Sequence, residues 1–345
     1  MSSADPPATA DVSGIGAPTL TVIVPVRDGA RHLAACLASV EADPYAVGRR
    51  TILVADNGSA DGSAALAASL GAGVMSISDI RVSELRNRAA GQATTDLLAF
   101  VDVDHEVAPG WARAAVATLT DASVGAVGAP YHSPPDPTWV QRIYDAMRDH
   151  PARAVETRWI GSGNLVVRRA LFEQVSGFDA SLEACEDVDL CRRLRASGAR
   201  LIANPAMVSI HKGDPRTLSA LFFGELWRGR DNLRVSLRPP VAWTDMPSMV
   251  IPVVWLAASL AAIAALATGN PRLTAAALGA GALSICTTAG RAVTMIRRAS
   301  LRPRTWLQAL AVAAVYDCAR ALSLVWRATH RTRSASDTVV GAIRG

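Results

Sequence analysis

The sequence predicts an α/β fold: a mostly parallel mixed sheet with helices on both faces, followed by a C-terminal helical hairpin long enough to cross a membrane. Three observations carry this. Short apolar runs alternate with helix-spaced segments through the first hundred residues, the mark of strand–helix–strand units. Acidic and turn residues fall where those runs end, at Asp28, at Asp56-Asn57 and at Asp102 and Asp104. The last third holds two long segments without a charge.

Leu20 to Pro25 reads as a buried strand stopped by proline, and Ala30 to Val40 as a helix with Leu33, Leu37 and Val40 on one face. Thr51 to Ala55 is a second strand, ending in Asp56-Asn57-Gly58-Ser59, and Ser63 to Leu70 a helix. Val74 to Ile77 is a third strand, Arg81 to Gly91 a helix, and Leu97 to Val101 a fourth strand. A helix over Gly110 to Asp121 and a short strand over Gly125 to Gly128 follow. The proline-rich stretch from His132 to Arg158 reads as a loop and helix over the site. Gly161 to Val167 is a glycine turn running into a strand. Glu186 opens a helix ending at Gly198, with acids in its first turn and Arg192, Arg193 and Arg195 near its end.

Met249 to Thr268 is charge-free for twenty residues and Leu273 to Gly290 for eighteen, each long enough to span hydrocarbon. Gly269-Asn270-Pro271-Arg272 makes the turn between them, and Ala275, Gly279 and Gly281 let two helices approach closely. Trp306 to Trp326 carries Asp317 and Arg320. Spanning there would bury both and place the Arg327 to Arg333 cluster opposite the Arg291 to Arg304 cluster, against the positive-inside rule. An amphipathic helix in the cytoplasmic interface is the preferred reading.

The 345 residues carry a net charge of +5 and are 50% hydrophobic. The basic excess sits beside apolar segments, which points to a membrane surface rather than to nucleic acid. Five scattered cysteines without a CxxC pair indicate neither a zinc site nor a disulfide framework, and suit reduced thiols. Residues 1–18 lack the basic start and apolar core of a signal peptide and read as a disordered leader.

Two carboxylates at i and i+2 where a strand gives way to a loop point the same way out of the pleat. Hard divalent cations take oxygen ligands, and Mg²⁺ commonly bridges carboxylate and phosphate. Asp102 and Asp104 are therefore candidates for a metal–diphosphate site.

Six segments in order, Val24 to Asp28, Val54 to Ser63, Arg86 to Gly91, Phe100 to Asp104, Gly177 to Asp179 and Glu186 to Leu190, resemble the family-2 glycosyltransferases of GT-A fold in their membrane-anchored bacterial form. The resemblance covers about residues 19–232. It departs at Asn57, where the family often has a second acid, and at Asp28, where it often has Asn. The resemblance implies a nucleotide-diphosphate sugar bound by Pro25, Asp28, Asp56 and Asp102. It implies Mg²⁺ or Mn²⁺ on Asp104, with the late His211 completing the metal shell, and Asp187 as the base, with Glu186 second. A helix N-terminus lowers a carboxylate's pKa, so Asp187 is expected to be ionised. Arg86 is expected to face the base or diphosphate. Gly161, Ser162, Gly163 and Asn164 are expected to shape the acceptor pocket. Trp227 and Arg228, between core and membrane, are expected to bind the acceptor: Arg suits a diphosphate and Trp the interface.

The expected organisation is a leader over 1–18, a transferase domain over 19–235 (nucleotide-binding half 19–104, acceptor half 105–235) and a linker over 236–248. A transmembrane hairpin over 249–296, an amphipathic or third membrane helix over 305–327 and a basic tail over 328–345 follow. The implied activity is inverting, metal-dependent transfer to a membrane lipid or lipid-linked acceptor, or to a surface polysaccharide, by a catalytic domain facing the cytoplasm from the inner membrane. A nucleotidyltransferase would need a glycine- and lysine-rich loop where Val26 to Arg31 has one Gly and no Lys. A non-catalytic membrane scaffold would not need Asp56, Asp102, Asp104 and Asp187.

Overall fold

The computed structural model describes residues 17–45, 48–239, 241, 243–298 and 305–326. Most of the expected leader, the basic tail, Arg302 and Arg304 lie outside the described residues. In chain order the elements begin β1 (Leu20–Val26), α1 (Ala30–Glu41), β2 (Arg50–Asp56), α2 (Ser63–Ser69), β3 (Gly73–Ser76), α3 (Val82–Gln92) and β4 (Leu97–Val101). Next come β5 (His105–Val107), α4 (Trp111–Thr118), β6 (Val124–Gly128), α5 (Trp139–Asp145), β7 (Val155–Glu156), β8 (Asn164–Arg168) and α6 (Arg169–Gln174). Then follow α7 (Glu186–Ala196), β9 (Arg200–Ala203), β10 (Ser209–His211), α8 (Leu218–Arg228), α9 (Asn232–Ser236), α10 (Met246–Thr268), α11 (Pro271–Arg298) and α12 (Trp306–Leu322). They form two compact units. The first comprises Met1–His132, His150–Ser181 and Glu186–Gly213; the second Ser133–Asp149, Leu182–Cys185 and Asp214–Gly345.

The first unit is a three-layer sandwich around an eight-stranded sheet of order β3-β2-β1-β4-β8-β6-β9-β7. β1, β2, β3 and β4 run parallel, whereas β8 is antiparallel to both β4 and β6. Side chains alternate across a strand, and the central strands use both faces. Val22, Val24 and Val26 of β1, with Ala99 and Val101 of β4, pack on Leu33 and Leu37 of α1 and Trp111 of α4. Ile23 and Phe100 point the other way, onto Leu85 of α3, Leu190 and Leu194 of α7, and Phe172 and Phe178. Burial on both faces explains why these strands read as unbroken apolar runs.

Pro25 does not stop β1, which continues to Val26. Pro25 lies opposite Ala55, while the β1–β4 register ends at Ile23 and Phe100. Its missing N–H falls past the last β4 pair, so it removes no ladder bond on that side. The chain leaves β1 toward β2 on one side and reaches β4 on the other. That reversal of strand order opens the crevice where ligands bind in open α/β sheets, and Asp28 and Asp102 stand at its two lips.

A separate antiparallel ribbon pairs β5 with β10, setting His105 opposite His211. Sequence periodicity misses it because each strand has three residues.

In the second unit, α5, α8, α11 and α12 share a core of Val140, Ile143, Leu221, Ala292, Met295, Val312 and Ala313. The helix following His132 thus belongs to this unit. α12, expected to lie in an interface, packs against α5, α8, α10 and α11. Its two charges are satisfied inside the unit. Asp317 accepts from Thr288 Oγ1 at 2.7 Å and Arg291 Nε at 3.0 Å, and Arg320 Nε donates to Glu225 at 2.9 Å. The stretch Trp243–Thr268, which includes α10, and α11 are long and apolar enough to cross a membrane, with mean hydropathies of 2.4 and 1.4. Gly269 ends α10 in the left-handed region at φ 64°, where glycine carries no Cβ penalty.

Candidate active site

The loops after β1, β2 and β4 meet in the first unit. Asp28 holds a left-handed backbone at φ 51°, uncommon for a side chain with a Cβ. Two hydrogen bonds keep it there: its N–H donates to Ser59 Oγ at 2.9 Å, and its carboxylate accepts from Ala60 N at 2.8 Å. Asp56 is buried and accepts from the Gly58 and Ser59 backbone N–H groups, both at 3.2 Å. A carboxylate offers about four acceptor positions, so this turn leaves capacity for a ligand hydroxyl. Asn57 is committed elsewhere: its amide exchanges two hydrogen bonds with the Ile80 backbone.

Arg86, expected to face the base or diphosphate, is engaged by two carboxylates of the protein. Buried on α3, it bridges Asp102 at 2.6 Å and Glu186 at 2.8 Å. Such charge-assisted bonds fix both carboxylates relative to the sheet. Glu186 is thereby held by a cation, with Ser162 Oγ a further 3.5 Å contact. Its neighbour Asp187 is half-buried at the start of α7 and accepts from Val188 N at 2.7 Å.

The expectation that Asp187 is ionised by its helix N-terminus is corrected. Burial, then the negative charge of Glu186, push its pKa up to about 7, and the Val188 N–H and Arg86 pull down without cancelling them. Desolvation of the charged form outweighs a helix-end effect.

Asp104 behaves in the opposite way. Burial raises its pKa, but the hydrogen bond from His211 and the charges of His211 and His105 hold it below the usual carboxylate range. Asp104 Oδ2 lies 3.2 Å from His211 Nε2, and Lys212 N donates to the Asp104 carbonyl at 2.8 Å. His105 is a further buried member that the sequence reading overlooks. Its Nδ1 shares a 2.8 Å hydrogen bond with Ser209 Oγ, and its ring lies 4.7 Å from that of His211. The ligand atoms of Asp104, His105 and His211 fall within 4.8 Å of one another. A carboxylate with two imidazoles is a donor set that fits a divalent transition ion. Tyr131 packs edge-on against both rings. The only signal for His105 in the sequence was its place directly after Asp104.

Two glycines leave room at this site. A Cβ on Gly213 would lie 2.0 Å from Asp104 Oδ2 and 2.9 Å from His211 Nε2; one on Gly163 would lie 2.7 Å from Asp102 Oδ2 and 2.9 Å from His105 Nε2. Gly161, two residues earlier, faces Asp187 Oδ2 at 3.8 Å from its Cβ position. The 161–163 turn therefore runs between the Asp187 carboxylate and the Asp102–His105 pair. Asn164 is fully buried rather than open to a ligand: it donates to the carbonyls of Ala129 and Met207 and accepts from Trp111 Nε1. Trp227 and Arg228 lie on α8 in the second unit, where Arg228 pairs with Glu225 at 3.0 Å.

A parallel half, an antiparallel half and paired acids where β4 ends make up the architecture of the GT-A fold. Residues 21–176 match the family model described as glycosyl transferase family 2, so the chain carries a family-2 glycosyltransferase domain. It is similar to the glycosyltransferase AglE of Haloferax volcanii, 27% identical over 219 residues, covering 61% of this chain and 69% of AglE. It is also similar to the pre-mycofactocin glycosyltransferase of Mycobacterium tuberculosis, 30% identical over 219 residues. That match covers 57% of this chain and 43% of the relative, less than half of its length. The fold is shared with the mannosyltransferase PcManGT from Pyrobaculum calidifontis, solved with GDP-Man and Mn²⁺, at a TM-score of 0.56 and 19% identity, covering 88% of this chain and 87% of that one.

Proposed function

We propose that this enzyme is an inverting, metal-dependent glycosyltransferase that moves a sugar from a nucleotide-diphosphate sugar to a membrane-associated acceptor, a lipid-linked sugar or a surface glycan. The observation that carries this reading is geometric: Asp104, His105 and His211 bring their ligand atoms within 4.8 Å of one another, and the Asp187 carboxylate faces the same site across the 161–163 turn.

Asp104, His211 and His105 would hold the divalent ion. When bound, it supplies positive charge to the diphosphate leaving group. Two imidazole donors favour Mn²⁺ over Mg²⁺, which prefers all-oxygen surroundings. Asp28, at one lip of the crevice, and Asp56, at the end of β2, take the nucleoside. Asp102, fixed by Arg86, takes the ribose, and Pro25 lines the pocket floor. Arg86 is a positioning residue.

Asp187 takes the proton of the acceptor hydroxyl as that oxygen bonds to the anomeric carbon. The bond from this carbon to the diphosphate oxygen breaks, and the nucleoside diphosphate leaves with the electron pair. Attack opposite the leaving group inverts the anomeric centre. A base with a pKa near the working pH has both the right protonation state and enough basicity. Glu186, paired to Arg86, is the weaker choice.

The apolar hairpin supports anchoring, and the basic residues beside it support a catalytic domain on the cytoplasmic side of the inner membrane. Gly163 gives backbone clearance on the acceptor side of the site in the first unit. The test is transfer from UDP- and GDP-sugars to a bacterial lipid extract, with the product anomer read by NMR. The reading requires the anomeric configuration opposite to the donor's; retained configuration contradicts it.

A further inference from the structure

The hairpin carries a second polar feature that transferase chemistry does not use. Within the second unit, a cleft of about 240 Å³ is lined by Pro247 and Ile251 of α10 and by Thr287, Arg291, Thr294 and Arg298 of α11, among others. The four α11 residues follow spacings of four, three and four, so they lie along one face of the helix. At about 240 Å³ the cleft is of headgroup size and not of whole-lipid size.

Its depth identifies its level. Between Arg272 and Arg291, α11 has no charge over eighteen residues, and at ~1.5 Å per residue this run is about 27 Å long. The hydrocarbon core of a bilayer is ~30 Å thick. With Arg272 at one surface, Arg291 stands at the other, where lipid phosphates lie. Arg291 is anchored, with its Nε and Nη2 on Asp317 and its guanidinium over the Tyr316 ring at 4.6 Å. Arg298 donates through Nη1 to the Met147 carbonyl at 3.1 Å and lies 3.6 Å from the exposed Asp149. A guanidinium has five N–H donors, so each arginine retains others for an anion. The Thr287 and Thr294 hydroxyls donate to their own helix backbone and can rotate toward a phosphate oxygen. Pro247 and Ile251 offer an apolar wall.

We propose that this cleft holds the phosphate of an anionic membrane lipid, its headgroup on Arg291, Arg298 and Thr294 and its first chain carbons on Pro247 and Ile251. The proposal rests on the membrane reading of the hairpin, not on the transferase chemistry, so binding is measured rather than turnover. The full chain in a neutral detergent is titrated with phosphatidylglycerol, phosphatidylcholine or inorganic phosphate, and affinity is read from thermal unfolding. Phosphatidylglycerol should bind roughly tenfold tighter than phosphatidylcholine, and Arg298→Gln should remove most of that difference. Thr294→Val, which keeps volume, should weaken binding severalfold. Arg297→Gln, one residue along and outside the lining, should leave it nearly unchanged. Equal losses in Arg297→Gln and Arg298→Gln would reduce the effect to general surface charge and overturn the proposal. Inorganic phosphate binding as tightly as the lipid would make the cleft a free-anion site and overturn it as well.

Discussion

Asp187 and Asp104 share a unit yet are driven in opposite directions, one by burial beside Glu186, the other by two imidazoles. The raised Asp187 pKa has two consequences of opposite sign. Transfer requires the ionised form, so the rate should fall about tenfold per pH unit below about pH 7, and Asp187→Asn should remove this acid limb along with at least 10²-fold of the rate. Stability moves the other way. The folded-state pKa lies above the unfolded value of 3.8, so the folded chain loses stability as pH rises from about 4 through about 7. Asp187→Asn should therefore be no more stable than the parent at pH 4 and more stable at pH 8, by on the order of 1 to 3 kcal/mol in urea unfolding. A variant destabilised at both pH values would contradict a carboxylate whose charged form the fold disfavours. None of this was visible in the sequence, which shows acids at a helix start but not how deeply they sit.

The ribbon of β5 and β10 does what the large sheet cannot, bringing His211 from late in the chain to Asp104. Gly213 closes this corner at an ordinary φ, so a substitution there tests space alone and not backbone strain. Gly213→Ala should weaken Mn²⁺ binding 10- to 100-fold, the range seen when groups around metal ligands are disturbed, with little change in donor affinity without metal. Unchanged Mn²⁺ affinity by calorimetry would separate Asp104 and His211 from the metal. Strands β1, β2 and β4 were legible because burial on both faces leaves long apolar runs, and Asp28, Asp56 and Asp102 were legible as the polar residues ending them. The three-residue β5 and β10 are too short to show periodicity, so His105 went unseen. Arg86 was visible as a residue but not as the bridge between Asp102 and Glu186, which are 16 and 100 positions away.

The two units divide the chain in a way no linear boundary captures, since Ser133–Asp149 and Leu182–Cys185 join the C-terminal segments. Their side chains explain why: Ile143 and Tyr144 enter the helical core of the second unit, and Tyr144 donates to the buried Glu225 at 2.6 Å. The hairpin was legible from length and absence of charge alone. α12 was harder, because the Asp317 and Arg320 that argued against a span find partners only through folding. If α10 and α11 cross the bilayer, the full chain should stay in the membrane pellet through washes at 1 M salt and at alkaline pH, and should leave only with detergent. Release by salt alone would reduce the attachment to surface charge, which salt screens within a few ångströms.

The central claim is that one unit combines a metal-held diphosphate with a neutral-range base, and donor binding measured beside turnover tests it most directly. A GDP- or UDP-sugar that the parent chain transfers should bind by calorimetry in the presence of Mn²⁺. Asp187→Asn should retain that binding within a few-fold while losing transfer, and Asp104→Ala should lose both. Transfer that persists in Asp187→Asn, or metal-stimulated donor binding that survives in Asp104→Ala, would contradict the account.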